Sequence, residues 1–190
     1  MFLRVVGGAV LAAVVLMAWG FVFWLFLPFG KAVLQKLPGE EVVVKTLKEN
    51  IPRTGVYTYP SRENTSSSVE AQDAIMKQHL AGPIVEIIYR KEGLDPLSPS
   101  TYGWGFAHFF VSGLLAGLLL ALALPRLKSY VARVLFIFLL GAFAAFFVDL
   151  SAGIWMHHPW ELPLLWAAYH GSSWLLAGLA MAAVIKPAGC

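Results

Sequence analysis

The sequence predicts an α-helical membrane protein with four transmembrane helices and a small α+β domain between the first and second of them. Of its 190 residues, 58% are hydrophobic and 13% are charged, whereas soluble domains are about 45–50% apolar and about 25% charged. The apolar residues are concentrated in long runs, as a lipid environment requires. One polar stretch interrupts these runs, so we expect three regions, at residues 1–27, 28–103 and 104–190.

Residues 1–27 contain the predicted first transmembrane helix. Positions 5–27 are apolar throughout, and a helix of that length, at about 1.5 Å per residue, crosses a hydrocarbon core of about 30 Å. The basic start at Arg4 resembles that of a signal peptide. However, the run is longer than the usual apolar segment, and no convincing cleavage site follows it. Pro28 ends the run, and we predict an uncleaved signal anchor.

Residues 28–103 have the composition of a small domain outside the hydrocarbon. Its predicted elements are a helix at 38–50, a strand at 55–60, a polar loop at 61–68, a helix at 73–80, a strand at 84–90 and a linker at 94–101. About 70 residues is close to the lower limit for a domain that is stable alone. We therefore expect it to lean on the membrane helices or on a partner.

Three further transmembrane helices are predicted, at residues 104–124, 130–150 and 162–185. The loop at 151–163 contains neither Lys nor Arg. Cytoplasmic loops carry an excess of these residues, so we predict cytoplasmic termini in the bacterial inner membrane, with 28–103 and 151–163 on the outer side. The basic residues that flank the spans are Arg4, Arg126, Lys128, Arg133 and Lys186.

Three segments carry a resemblance to known proteins: NIPRTGVYTYP at 50–60, AGPIVEIIYRKEGLDPLSPST at 81–101 and WLLAGLAMAAVIK at 174–186. They are similar to a group of small bacterial multi-pass inner-membrane proteins. The resemblance covers most of the chain and implies the same architecture: signal anchor, small extracytoplasmic domain and C-terminal hydrophobic helices. It implies no activity, cofactor or functional residue. In that group the segment corresponding to 155–160 reads more like Trp-Tyr-Gly-Phe.

Ionisable side chains inside membrane spans are costly and often functional, which makes His108, Asp149 and His170 the first candidates for a cofactor site. His108 and His170, on different helices at broadly similar depth, could ligate haem. Either histidine could instead bind a quinone or a lipid head group beside the neighbouring tryptophans and Tyr169.

The loop between the last two spans suggests a second site. His157, His158 and Glu161, with Asp149 nearby, offer imidazole and carboxylate ligands of the kind that zinc or copper accepts. The alternative is that the loop lies at the membrane boundary, where Trp and Tyr concentrate and a histidine in water needs no special role. The aromatic residues placed at this boundary are Tyr102, Trp104, Trp155, Trp160 and Trp166.

Small residues recur along the predicted spans and indicate close helix packing. Glycine lets helix backbones approach each other in a membrane, and packing within this chain is favoured over a dimer interface. The candidate packing glycines are Gly113, Gly117, Gly141, Gly171 and Gly178.

Several classes of function are disfavoured. Cys190 is the only cysteine, which excludes an intramolecular disulfide or a CxxC redox pair. The sequence contains no nucleophile elbow, P-loop, HExxH motif or dinucleotide fingerprint, and its bases form no nucleic-acid patch. We therefore expect a non-catalytic accessory or assembly subunit that binds other membrane proteins. The alternative is a membrane redox protein that binds haem, a metal ion or a quinone.

Overall fold

The computed structural model describes residues 1–61 and 68–187. Most of the predicted polar loop, and Cys190, therefore lie outside the described residues. The chain divides into two compact units, one comprising Met1–Lys36 and the chain from Leu97 onward, the other Leu37–Pro96. Residues 28–36 and 97–103, assigned to the small domain by the sequence, group with the first unit.

The first unit is helical in its described part. Helix α1, Phe2–Phe21, continues through a π-helical turn, Val22–Phe26, in which the Leu27 N–H donates to the Val22 carbonyl over 3.2 Å. The other helices of this unit are, in chain order, α2 (Phe29–Val33), α5 (Pro99–Ala123), α6 (Tyr130–Trp155) and α7 (Glu161–Val184). Helices α3 and α4 belong to the second unit.

Three helical segments of the described chain are long and apolar enough to cross a membrane: Phe2–Phe26, α5 and α6. They correspond to the first three predicted spans. Helix α7 forms where the fourth span was predicted, but it does not reach the same apolarity because five consecutive residues, 169–173, read Tyr-His-Gly-Ser-Ser. Its crossing of the membrane stays a prediction.

The bundle is organised around α1 and α7. Helix α1 packs along both α5 and α7, and α6 packs chiefly along α7. Although α5 and α6 are joined by a short turn, they contact each other little. The buried core contains several small side chains, since alanines at positions 9, 12 and 13 of α1 are fully covered. Small residues let helices approach closely without a hydrophobic driving force.

Four of the five candidate packing glycines lie at helix contacts. A Cβ at Gly113 would come within 3.2 Å of Ala9 and Ala12, and one at Gly178 within 3.1 Å of the Val134 carbonyl. Gly117 meets α1 and α7 side chains at similar distances, and a Cβ at Gly141 would overlap Trp174. Gly171 differs because nothing would lie within 4 Å of its Cβ, so packing does not require glycine there.

The second unit contains α3 (Glu40–Asn50), β1 (Gly55–Tyr59), α4 (Val69–Ala81) and β2 (Val85–Tyr89). The two strands pair antiparallel, with Val56 opposite Ile88. One end of this strand pair is tied together by Thr54, whose hydroxyl donates to Glu92 Oε2 over 2.7 Å and accepts from the Lys91 N–H over 3.0 Å. Neither helix of this unit has a buried residue.

Candidate functional site

The most distinctive polar contact of the helical unit joins α6 to α7. His170 Nδ1 lies 2.7 Å from Asp149 Oδ2. The Asp149 side chain is only 8% exposed, whereas that of His170 is 39% exposed. The two residues meet because α6 and α7 run antiparallel along each other, which brings the last turns of α6 beside the first half of α7.

The carboxylate determines what the imidazole can do. An ionised carboxylate only accepts hydrogen bonds, so with Asp149 ionised the hydrogen of this contact is on His170 Nδ1. A neutral ring then has its lone pair on Nε2, and the structure shows no partner for that atom within the described residues. A nitrogen held in this way can accept a proton, accept a hydrogen bond from a hydroxyl group, or bind a metal ion.

Aromatic rings surround the pair on the side of α1. Trp166 stacks on His170 with ring centroids 5.6 Å apart and an angle of 27° between the planes. Trp24, in the π-helical turn, contacts both Trp166 at 4.7 Å and Tyr169 at 5.5 Å. π-Helical turns are frequent at functional sites, and this one places Trp24 against the helix that carries His170.

A second polar contact ties α1 to α7 one turn further along. Trp19 Nε1 donates to the Ser172 hydroxyl over 3.0 Å, and that hydroxyl lies 2.8 Å from the Ala168 carbonyl, to which it donates. Ser173 is buried, and its hydroxyl has no hydrogen-bond partner among the described residues. Polar side chains of α7 between positions 169 and 173 therefore contact α1 and α6, through Ser172 and His170.

His108 does not join this group. It lies on α5, which packs against α1, and its side chain is exposed. The ring contact recorded for it is with its neighbour Phe109, at 5.5 Å. The structure therefore brings His170 together with Asp149 and leaves His108 apart, so it adds no support to haem ligation by the two histidines.

The residues of the predicted metal site lie at the turn between α6 and α7. His157 lies just after the end of α6 and has a left-handed backbone, with φ of 57°. The His158 N–H donates to the Ala152 carbonyl over 3.2 Å. Glu161 is the first residue of α7, where a carboxylate complements the helix dipole. Within residues 1–61 and 68–187, no three His, Cys, Asp or Glu residues form a group that could hold a metal ion.

Sequence reasoning did not identify the α1 side of the site. Trp19 and Trp24 were assigned only to an apolar run, and their contact with α7 depends on how the two helices rotate against each other. Gly20 is the one signal that was available. A Cβ there would lie 3.1 Å from the Tyr169 hydroxyl, so glycine at this position makes room for the phenol.

No protein family, curated protein or solved structure was found to match this chain. The resemblance to small bacterial inner-membrane proteins stays a prediction, and the site is interpreted from its own geometry.

Proposed function

We propose that this protein is a non-catalytic accessory or assembly subunit of a bacterial inner-membrane complex, and that it binds its partner through the unit Leu37–Pro96. One observation carries the proposal: this unit presents large apolar side chains to solvent and buries almost none. Val56 and Ile88, directly opposite on the two strands, are 63% and 81% exposed.

The same pattern extends beyond the sheet. On α3, Val42 and Val44 are exposed, and on α4 so are Met76 and Leu80. An isolated two-stranded sheet is at best marginally stable in water, and a unit of this size can bury little surface by itself. Exposed apolar surface on a polar segment is a common mark of protein–protein contact. A partner surface that covers these side chains would supply the missing core.

The helical unit supports a setting in the membrane. Three apolar helices are compatible with contact to a lipid bilayer, and the basic residues near the ends of α1, α6 and α7 favour cytoplasmic termini. With α7 as a fourth span, Leu37–Pro96 and the α6–α7 turn lie outside the cytoplasm. The buried contacts of α7 with α1 and α6 support this assignment, since they let its polar residues avoid lipid.

Purification of the tagged full-length chain from native membranes in mild detergent tests the proposal. We expect a partner membrane protein to co-purify with the wild-type chain. Ile88→Lys should reduce its recovery at least tenfold, roughly 1.4 kcal/mol of binding free energy, because a charge replaces an apolar contact. Gln72→Lys, which adds the same charge at an exposed polar position of α4, is the matched control.

Recovery that is equal for both variants, or a wild-type chain that always runs alone as a monomer, would rule out this binding surface. Limited proteolysis within Leu37–Pro96 shows whether Ile88→Lys leaves this unit folded, so that a loss of partner can be assigned to the surface.

The Asp149–His170 pair favours a second candidate function, a membrane protein that binds a quinone or a metal ion. The pair offers one oriented imidazole nitrogen beside a tryptophan ring, which suits a hydroxylated aromatic head group. The purified wild-type chain should then retain bound quinone in a lipid extract, or a stoichiometric metal by elemental analysis, and His170→Gln should lose it. Wild-type protein that contains neither excludes this candidate.

A further inference from the structure

Cationic side chains gather at the end of the bundle where α6 begins and α7 ends, which we call the Arg133 end. Arg4 Nη1 donates to the Lys186 carbonyl over 2.8 Å. Arg133 donates from Nε to the Ala182 carbonyl over 3.2 Å and from Nη1 to the Lys128 carbonyl over 2.9 Å. These bonds place Arg4, Lys128, Arg133 and Lys186 around the end of α7. Arg126 lies in the short turn between α5 and α6 that also contains Lys128.

Arg133 is the buried member of this cluster, at 5% exposure. A buried charge is costly unless it is paired, and the partners that the described residues give to Arg4 and Arg133 are main-chain carbonyls. A helix C-terminus supplies only about half of a negative charge. The carboxylates in the described part of the helical unit are Asp149 and Glu161, both at the opposite end of α6 and α7. Positive charge therefore remains in excess at the Arg133 end.

Apolar side chains border the same cations. Phe2 and Leu3 precede Arg4 and are exposed, as are Val131 at the start of α6 and Leu122 one turn before Arg126. A ligand with an anionic group and a long apolar chain would contact both the cations and the bordering apolar side chains. A free anion would contact only the cations.

We propose that the Arg133 end binds an anionic glycerophospholipid, with its phosphate at Arg126, Lys128 and Lys186 and its acyl chains along the bordering apolar side chains. Arg4 and Arg133 position this cluster by their bonds to the carbonyl groups of Lys186, Ala182 and Lys128. Basic residues between membrane helices at the cytoplasmic surface are suited to such head groups. The proposal is independent of the partner-binding function, since it concerns lipid contact of the helical unit only.

Titration of the full-length protein in an uncharged detergent, followed by native mass spectrometry, tests this inference. Phosphatidylglycerol should bind at least tenfold more tightly than phosphatidylcholine. The combined variant Arg126→Gln/Lys128→Gln/Lys186→Gln should weaken phosphatidylglycerol binding about a hundredfold, since each basic residue near a membrane surface contributes roughly fivefold to anionic lipid affinity. Arg126 and Lys128 are exposed and Lys186 is half-buried, so these changes remove charge rather than core packing.

Two matched variants make the result specific. Lys31→Gln/Lys48→Gln/Lys77→Gln removes the same charge from exposed positions elsewhere and should leave affinity unchanged. The charge-preserving variant Arg126→Lys/Lys128→Arg/Lys186→Arg should retain binding even if the glutamine variant unfolds. Equal affinity for the two lipids, full affinity in a folded glutamine variant, loss in the charge-preserving one, or displacement of the lipid by millimolar inorganic phosphate would each overturn the proposal.

Discussion

A mostly buried carboxylate beside a half-exposed imidazole makes Asp149 and His170 interdependent. If His170 is removed, Asp149 loses the hydrogen-bond donor that compensates its burial. If Asp149 is removed, His170 loses the group that fixes which ring nitrogen carries the hydrogen. The pair therefore contributes both to the contact between α6 and α7 and to the chemistry available at Nε2.

We predict a measurable coupling between these two side chains. His170→Ala should lower the free energy of unfolding by roughly 1–3 kcal/mol, because a mostly buried acceptor loses its hydrogen bond. Asp149→Ala/His170→Ala should cost less than the sum of the two single changes, and a double-mutant cycle in detergent measures the difference.

His108→Ala provides the control for this cycle. His108 is exposed and lies on α5, so its removal should change the unfolding free energy by less than about 0.5 kcal/mol. Strict additivity of the Asp149 and His170 changes would mean that the pair contributes nothing to stability.

At the scale of helices, the approach of α6 to α7 depends on the absence of a side chain at Gly141. A Cβ at that position would overlap the Cβ and Cγ of Trp174. The Trp174 Cβ is fixed by the backbone, so no side-chain rotamer of Trp174 removes the overlap. The two helices would have to separate to accept any larger residue.

Gly141→Ala and Gly171→Ala form a matched pair that tests this contact. We expect Gly141→Ala to lower the unfolding free energy by about 2 kcal/mol, because overpacking exceeds the gain in helix propensity. Gly171→Ala, with open space around its Cβ, should be neutral or stabilising by up to about 1 kcal/mol. Thermal unfolding of both variants in detergent provides the comparison, and equal midpoints would contradict the packing argument.

The strand pair of the second unit should respond to pH through Glu92. The hydroxyl of Thr54 holds the pKa of this carboxyl below its ordinary value, helped by a backbone hydrogen bond and by the charges of Arg90 and Lys91. A carboxyl with a lowered pKa in the folded state stabilises the fold above its unfolded pKa of about 4.3. That contribution is lost as the pH falls through the lower, folded value.

Thr54→Val should therefore return the pKa of Glu92 toward its ordinary value and lessen the acid sensitivity of the strand pair. Carboxyl-carbon NMR of the labelled full-length protein measures this pKa directly. An unchanged Glu92 titration in Thr54→Val would show that the hydroxyl is not the cause.

The sequence predicted most elements because their signals are local. Hydropathy located α5, α6 and the first membrane segment. A strand ended by Pro60 located β1, and a β-branched run after the turn at Pro83 located β2. The observed boundaries of the elements differ from the predicted ones where local rules allow two outcomes. The sequence places Pro99 in the linker at 94–101, but proline is well suited to the first turn of a helix, and α5 begins there.

The candidate site was only half predictable for a different reason. Asp149 and His170 stand out because polar residues are rare in apolar runs. Whether His170 meets Asp149 or His108 depends on the rotation of each helix about its axis and on which helices are neighbours. Those quantities are set by contacts such as Gly141 with Trp174, and single-sequence patterns do not encode them.

At the scale of the whole molecule, both units expose apolar side chains, but these side chains call for different surroundings. The helical unit exposes apolar side chains that a bilayer can cover, and the unit Leu37–Pro96 exposes apolar side chains that the proposed partner would cover. Reporter fusions can establish whether α7 crosses the membrane.

Alkaline phosphatase fused within the α6–α7 turn, after His158, should be active if that turn is extracytoplasmic. The same reporter fused after Pro187 should be inactive, because a fourth span returns the chain to the cytoplasm. A fluorescent protein that matures only in the cytoplasm should give the reverse pattern at the two sites. Equal activity of one reporter at both positions would mean that α7 does not cross the membrane.

The separation of charge along α6 and α7 also matters to an energised membrane. The bases lie at the Arg133 end, and Asp149 and Glu161 lie at the other. A membrane potential of 100 mV, negative on the cytoplasmic side, changes the energy of one transferred charge by about 2.3 kcal/mol. In the proposed topology the Arg133 end faces the cytoplasm, so the potential would favour that orientation of α6 and α7. Collapse of the potential would remove this contribution from every charge at once.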